Sequence, residues 1–304
     1  MQKLKESIKL EKDNNFSLKT SFEESLKNPK FKKLCEKLKI KEEKLYKYTT
    51  MLEDSSIEYD NCLNCKNILE CKNKIKGYAY LPEIENNQVK FGYKMCKKNE
   101  KIKKEHQYLE NVYCYNIPEE IKNAKMKDII VDDKNRFKVI KWLNNFIKTY
   151  DNTKPMKGLY LYGSFGSGKT YLISAMFNEL AKSGVKSAIV FYPEYLSNLK
   201  SSFGKLDYQE KIDKLKKIPL LLIDDIGAET TTQWSRDEVL CPIMQYRMQE
   251  KLPTFFTSNL DLELLEQHLA LSKNGIEEVK AKRIIERINA LTEKEDLITK
   301  NYRK

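Results

Sequence analysis

The run Gly163-Ser164-Phe165-Gly166-Ser167-Gly168-Lys169-Thr170 matches the pattern G-x-x-x-x-G-K-[ST]. Its glycines let backbone N–H groups wrap around phosphate oxygens at the start of a helix. Lys169 reaches the β and γ phosphates, and the Thr170 hydroxyl holds Mg²⁺. The flanks are the required ones: an apolar strand over 158–162 leads in, and a helix opened by Tyr171, Leu172 and Ile173 leads out. A glycine-rich turn that matches by chance needs neither flank.

A second run, Pro219 to Ile223, ends in Asp224 and Asp225. Asp224 would bind Mg²⁺ directly or through water, and Asp225 would orient an attacking water, because phosphoryl transfer depends on positioning and charge neutralisation. A strand that stops at a turn-favouring Asp pair accounts for this motif alone but not for both together. A third run, Pro253 to Phe256, leads into Thr257-Ser258-Asn259. Asn259 suits a side chain that senses the γ-phosphate, and equally a turn residue at a strand end.

The cations carry a different signal. Only six of the 56 basic residues are arginine, all at or after Arg136. A guanidinium offers a planar multi-donor fork that ammonium lacks, so an Arg in a Lys-biased chain marks a position to inspect. Arg283 and Arg287 share one face of a helix near the chain end, and Arg303 follows. Such residues complete a nucleotide site in trans, or else pair with Glu278, Glu286 and Glu293 on a solvated face. Arg136 and Arg247 read as surface residues.

Cys62-x2-Cys65-x5-Cys71-x24-Cys96 supplies four thiolates for a tetrahedral Zn²⁺ in a segment too small and polar to fold on an apolar core. His106, in a Lys-rich run, is the substitute ligand. Reduced cysteines of a small domain are the alternative. Cys35, Cys114 and Cys241 sit among apolar or aromatic neighbours and read as structural.

These residues need elements to position them. The length, 304 residues, suits two domains, and 33% charged with 40% hydrophobic residues excludes collagen-like, Pro-rich and wholly disordered chains. The start has no apolar core for a signal peptide and no run long enough to span a membrane, so the expected location is the cytoplasm, without a membrane partner. A net charge of +12 suits acidic partners, nucleic acid first. The excess is 28 basic against 21 acidic residues through position 130 and 28 against 23 beyond it, so it forms no single basic arm.

The segment 1 to about 58, with Phe31, Leu34, Leu38 and Leu45 near helical spacing, predicts two or three amphipathic helices. Residues 60–99 form the zinc module, giving an N-terminal domain over 1–110, and 111–135 reads as a linker. From Arg136 to Lys304 short apolar runs alternate with helical segments, which predicts an α/β domain of parallel strands covered by helices.

The stretches GSFGSGKTYL, LLLIDDIGAE, WSRDEVL, LPTFFTSNLDLELLEQHL, AKRIIERI and the terminal NYRK resemble the AAA+ ATPase module of bacterial replicative helicase loaders of the DnaI and DnaC type. The cysteine module before it resembles the DnaI branch. The resemblance implies an AAA+ P-loop module over 136–304 behind a small, mostly helical, zinc-binding domain, with slow ATP hydrolysis stimulated by partner or DNA. It implies phosphate and Mg²⁺ contacts from the P-loop through Tyr171 and from Asp224, with Asp225 the second acid and Asn259 the first sensor. Arg287 is then the finger acting on a neighbour's ATP, with Arg283 the alternative and Arg303 a second-sensor candidate.

The implied partners are the hexameric replicative DNA helicase, single-stranded DNA and further copies of the chain. Lys200, Lys205, Lys211, Lys214, Lys216 and Lys217 around Phe203 and Tyr208 would contact the DNA strand, or form a solvated helix.

Two departures stand out. The family's zinc site can include a His between the third and last cysteines, where this chain has Gly77-Tyr78-Ala79-Tyr80, which brings Cys71 forward. The second acid, Asp225, is one methylene shorter than the common Glu. Rival readings are a transposition helper ATPase with the same core and a zinc adaptor that does not hydrolyse nucleotide. A small-molecule kinase lacks a recognisable acceptor site.

Overall fold

The computed structural model describes residues 16–302 apart from 87, 132, 205, 206, 273 and 274. The chain divides into two compact units between Gln107 and Tyr108.

In the first unit a helix through 16–25 (α1) is followed by α2 (Pro29–Leu38) and α3 (Thr49–Asn64). Asn28 caps α2, its side chain accepting the Lys30 amide, and Pro29 opens it where no N–H is needed. Phe22, Phe31, Leu34, Leu45, Leu52 and Val89 make the core, with Phe22 and Phe31 edge to face at 5.4 Å. The hairpin β1 (Tyr78–Glu85) and β2 (Gln88–Met95) then leads into α4 (Lys97–His106).

The second unit is built on six parallel strands. In chain order they are β3 (Val112–Tyr115), β4 (Gly158–Gly163), β5 (Ser187–Phe191), β6 (Leu220–Asp224), β7 (Thr254–Ser258) and β10 (Thr292–Leu297). Across the sheet the order is β10-β4-β7-β6-β5-β3, so β7 lies between the strand that feeds the glycine loop and the strand that ends in the acids. Helices cover both faces. Leu159 and Leu161 join one core with Phe146, Phe177 and Phe255, while Tyr160 joins the other with Ile223, Phe256 and Ile284. Burial on both faces explains why these strands read as continuous apolar runs.

The helices are α5 (Glu119–Lys122), α6 (Lys134–Thr149), α7 (Lys169–Ala181), α8 (Tyr192–Lys200), α9 (Asp207–Lys217), α10 (Cys241–Gln249), α11 (Leu262–Ala270) and α12 (Glu278–Leu291). A π-helical turn, Trp234–Leu240, runs directly into α10. The short pair β8 (Leu271–Ser272) and β9 (Gly275–Ile276) precedes α12.

Two expectations need correcting. The segment 111–135 is no free linker: β3 pairs with β5, and Ala124 and Ile129 are buried in the core of the second unit. A four-residue edge strand rich in tyrosine carries too short a pattern to be read as a strand. Arg136 and Arg247 are not surface residues either, being 4% and 0% exposed. Arg247 donates to the carbonyls of Leu215, Lys216, Ile218, Pro219 and Pro253 and to Thr254 Oγ1, using the fork a lysine lacks. Among the described residues no helix is long and apolar enough to cross a membrane.

Candidate functional site

All strands of the sheet run the same way, so the loops after β4, β6, β7 and β10 gather at one edge, the carboxyl edge where open parallel sheets bind ligands. Gly163 closes β4 with φ 136°, and a Cβ there would come within 2.5 Å of the Leu297 carbonyl oxygen in the neighbouring strand. Only glycine fits that approach. Lys169 then begins α7 behind Gly168.

The expected chemistry converges at this edge. Lys169 Nζ donates to the carbonyls of Gly163 (3.1 Å) and Ser164 (2.9 Å) and to Asn259 Oδ1 (2.9 Å). Asn259 Nδ2 in turn donates to Asp225 Oδ1 at 3.2 Å. On the other side Thr170 Oγ1 and Thr257 Oγ1 both donate to Asp224 Oδ1 at 2.6 Å, and Thr257 Oγ1 accepts the Asp225 amide at 2.9 Å. Asp225 holds φ 57°, a left-handed conformation that Asp tolerates.

Burial pushes the Asp224 carboxyl up from the usual carboxylate range; the two threonine donors pull it down, Asp225 raises it and Lys169 lowers it. A cation at this oxygen would favour the ionised form. The pair of hard oxygens, Thr170 hydroxyl and Asp224 carboxylate, fits Mg²⁺, which takes one or two protein oxygens beside phosphates and water. Thr257 is the site residue whose importance the sequence underplays. A threonine on a buried strand reads as filler until its register against β6 is known.

Other expected residues sit differently. Phe165 is exposed at the loop tip, and Ser167 is buried. The Tyr171 hydroxyl accepts the Lys125 amide at 3.4 Å, and its ring packs on the core. Arg303 lies outside the described residues. Arg283 and Arg287 line a cleft of about 620 Å³ between α10 and α12, with Met248 and Val279. Arg287 is anchored there, Nε to Gln245 Oε1 (2.9 Å) and Nη1 to Cys241 Sγ (3.2 Å), whereas Arg283 is exposed. Among the described residues neither forms an ion pair with Glu278, Glu286 or Glu293, and Glu293 accepts from Trp142 Nε1 instead.

The lysine-rich segment frames an aromatic cluster. Phe203, half exposed, lies 5.1 Å from Trp234 and 5.3 Å from Tyr208, and Lys200 Nζ stands 5.3 Å from the Trp234 ring. Lys211 pairs with Asp207 and Lys216 with Asp213. Lys205 lies outside the described residues. Trp234 belongs to the π-helical turn, an insertion type frequent at functional sites. In the same turn Arg236 is buried between Asp237, Glu277 and the Leu269 carbonyl.

In the first unit Cys62 falls on the last turn of α3, Cys65 at its end, Cys71 in the following loop and Cys96 at the cap of α4. All four are free thiols. Burial pushes the Cys62 thiol up, the Asn73 hydrogen bond lowers it, and Cys96, Cys71 and Cys65 raise it further. Asn73 Nδ2 donates to Cys62 Sγ (3.3 Å) and the Asn99 amide to Cys96 Sγ (3.4 Å). Glu58, buried one turn before Cys62, takes the Lys74 and Tyr80 amides and ties the loop to the helix. The thiol set has the donor chemistry for zinc, although among the described residues no three Cys, His, Asp or Glu side chains converge as a metal-binding group.

A glycine loop entering a helix, a threonine and an aspartate sharing one oxygen contact, and a further strand between their parent strands define a P-loop nucleotide-binding protein of the AAA+ kind. The family model described as IstB-like ATP binding protein matches residues 137–303. The chain belongs to the DnaI-type replicative helicase loaders within that ATP-binding family. It is 36% identical over 249 residues to the replicative helicase loader DnaI of Bacillus subtilis (strain 168), covering 81% of this chain and 77% of that protein. A crystal structure of DnaI aligns with TM-score 0.58 and 45% identity, over 65% of this chain and 100% of that one. A primosome component, so described as a candidate, from Streptococcus pyogenes serotype M3 aligns with TM-score 0.57 and 35% identity, over 66% and 100%.

Proposed function

We propose that this chain is an ATP-dependent loader that binds the hexameric replicative DNA helicase and delivers it to single-stranded DNA during replication initiation or restart. The observation that carries the reading is the linked set Thr170, Asp224, Thr257, Asp225, Asn259 and Lys169 at the sheet edge. It occurs in a chain whose 249 aligned residues with DnaI exceed the second unit and so reach into the first.

In this mechanism the P-loop amides and Lys169 bind the β and γ phosphates of ATP. Thr170 and Asp224 would hold Mg²⁺, which would supply charge neutralisation on those phosphates. Asp225 takes the attacking water, and Asn259, already bonded to both Asp225 and Lys169, aligns that water with the γ-phosphate. Arg287 serves a neighbouring copy's ATP, its guanidinium pre-oriented by Gln245 and Cys241, with Arg283, one turn away, the alternative finger. That role makes self-association part of catalysis, and slow hydrolysis is expected until the neighbour and DNA are in place.

Lys200, Phe203, Tyr208 and Trp234 offer a cation and stacking surfaces to single-stranded DNA. In the first unit Cys62, Cys65, Cys71 and Cys96 would hold Zn²⁺, which supplies cross-linking of the loop that docks the helicase. The place of action is the cytoplasm.

A second reading, a transposition helper ATPase, is compatible with the same ATP-binding core, and the cysteine unit would be superfluous to it. Size-exclusion chromatography of the full chain with the replicative helicase of the same cell separates the two. A co-eluting complex that needs the cysteines supports the loader, and no complex, with ATP hydrolysis on DNA intact, supports the helper.

A further inference from the structure

In a chain that uses lysine as its default cation, Arg136 is buried on the first turn of α6 and joins three stretches of chain: the residues just before the helix, the P-loop and the stretch after β10. Its amide donates to Asp133 Oδ1 at 2.8 Å. Its Nε donates to the Ile130 carbonyl at 2.7 Å, and its Nη1 donates to the Ser167 carbonyl of the P-loop at 2.6 Å. The guanidinium carbon lies 4.2 Å from the centre of the Tyr302 ring, a cation–π distance.

Tyr302 reaches the same loop independently, its amide donating to the Gly166 carbonyl at 2.8 Å. Asn301 presses on Gly166 so closely that a Cβ there would lie 2.0 Å from Asn301 Oδ1. The tail that follows β10 therefore lies along the phosphate-binding loop.

In a planar trans peptide the N–H points opposite to the C=O. Fixing the Gly166 and Ser167 carbonyls from outside the loop turns the Ser167 and Gly168 amides toward its interior, and the Ser167 amide is indeed aimed at the Ser164 carbonyl across the loop. These are amides that a phosphate must find.

We infer that Arg136 and Tyr302 are positioning residues of the nucleotide site. They hold two P-loop carbonyls outward so that the amides face the phosphates, and they make the docked C-terminal tail part of ATP binding. The inference rests on the reading of this loop as the ATP site. Because tail and phosphate use opposite sides of the same peptides, each strengthens the other by linkage.

The test uses the full chain, with a fluorescent ATP analogue for affinity, steady-state kinetics, thermal melting without nucleotide, and amide exchange at Tyr302. Arg136→Lys keeps the charge and loses the fork, Tyr302→Ala removes the ring and keeps the amide, and Tyr302→Phe keeps both. Arg136→Lys and Tyr302→Ala are expected to weaken nucleotide binding and raise KM at least tenfold, with kcat changed less, while Tyr302→Phe behaves as wild type. ATP slows exchange of the Tyr302 amide in the wild type and not in Arg136→Lys.

Tyr302 lies at the tail and outside both cores, so Tyr302→Ala remains informative if Arg136→Lys fails to fold. Wild-type affinity in Tyr302→Ala, or in a folded Arg136→Lys, overturns the inference and leaves the ATP site standing. A wild-type chain that binds no nucleotide overturns the underlying reading instead.

Discussion

Thr257 Oγ1 donates to Asp224 Oδ1 at 2.6 Å while accepting the Asp225 amide at 2.9 Å. One hydroxyl on β7 thus fixes the direction of one carboxylate and the backbone that carries the next. The register makes this possible: Ile223 pairs with Phe256, so Asp224 and Thr257 are the next neighbours along β6 and β7.

Thr257→Val keeps the shape and removes both bonds. It should lower ATP turnover by roughly 10- to 100-fold, the cost of leaving buried polar partners without their hydrogen bonds, while affinity for ATP stays within about threefold. Thr257→Ser should retain turnover. Steady-state hydrolysis with the nucleotide affinity measured in parallel checks this, and full turnover in the valine variant would remove Thr257 from the site.

Arg247 holds five carbonyls with one buried side chain. Arg247→Lys leaves several of them without donors, for an expected loss on the order of 3 kcal/mol. For a unit of this size that lowers the melting temperature by roughly 6 to 12 °C. Calorimetry of the full chain decides it, and a melt unchanged within about 2 °C would mean that water replaces the guanidinium.

The cysteine module predicts one equivalent of zinc per chain in protein purified without chelator. Cys62→Ser or Cys96→Ser, or chelation, should release the metal and loosen the first unit, read as faster proteolysis between residues 65 and 77. ATP binding by the second unit should be unchanged. A metal-free wild type, equally resistant to protease, would assign the four thiols a purely structural role.

Action of Arg287 in trans predicts complementation. Arg287→Ala alone should bind ATP but lose DNA-stimulated hydrolysis by roughly a thousandfold, and Lys169→Ala alone should not bind ATP. Mixed together they should recover a measurable part of the rate, because each supplies what its neighbour lacks. A mixture no more active than the sum of its parts contradicts a finger supplied between copies.

Chemistry carried by contiguous residues is legible in the sequence. The glycine loop needs its residues at fixed spacing, the acid pair must end a buried strand, and both-face burial writes β4, β6 and β7 as apolar runs. Contacts between remote segments leave no such trace. Nothing in the neighbourhood of Arg136 announces Ser167 or Tyr302, and nothing near Arg247 announces Leu215 or Ile218. The glutamates expected to pair with Arg287 are close in sequence, yet Gln245 and Cys241 reach it from the facing helix. The π-helical turn was equally hidden, since one extra residue in a turn does not alter the apolar pattern enough to be read.

ATP at this site is expected to power placement of the replicative helicase on single-stranded DNA. This is tested most directly by a loading assay on single-stranded DNA coated with its binding protein, in which helicase unwinding is followed with wild-type chain, Lys169→Ala, or none. Unwinding is expected with the wild type and ATP, and none above background with Lys169→Ala although the helicase complex still forms. Equal unwinding with and without the wild-type chain, or full loading by Lys169→Ala, would contradict it.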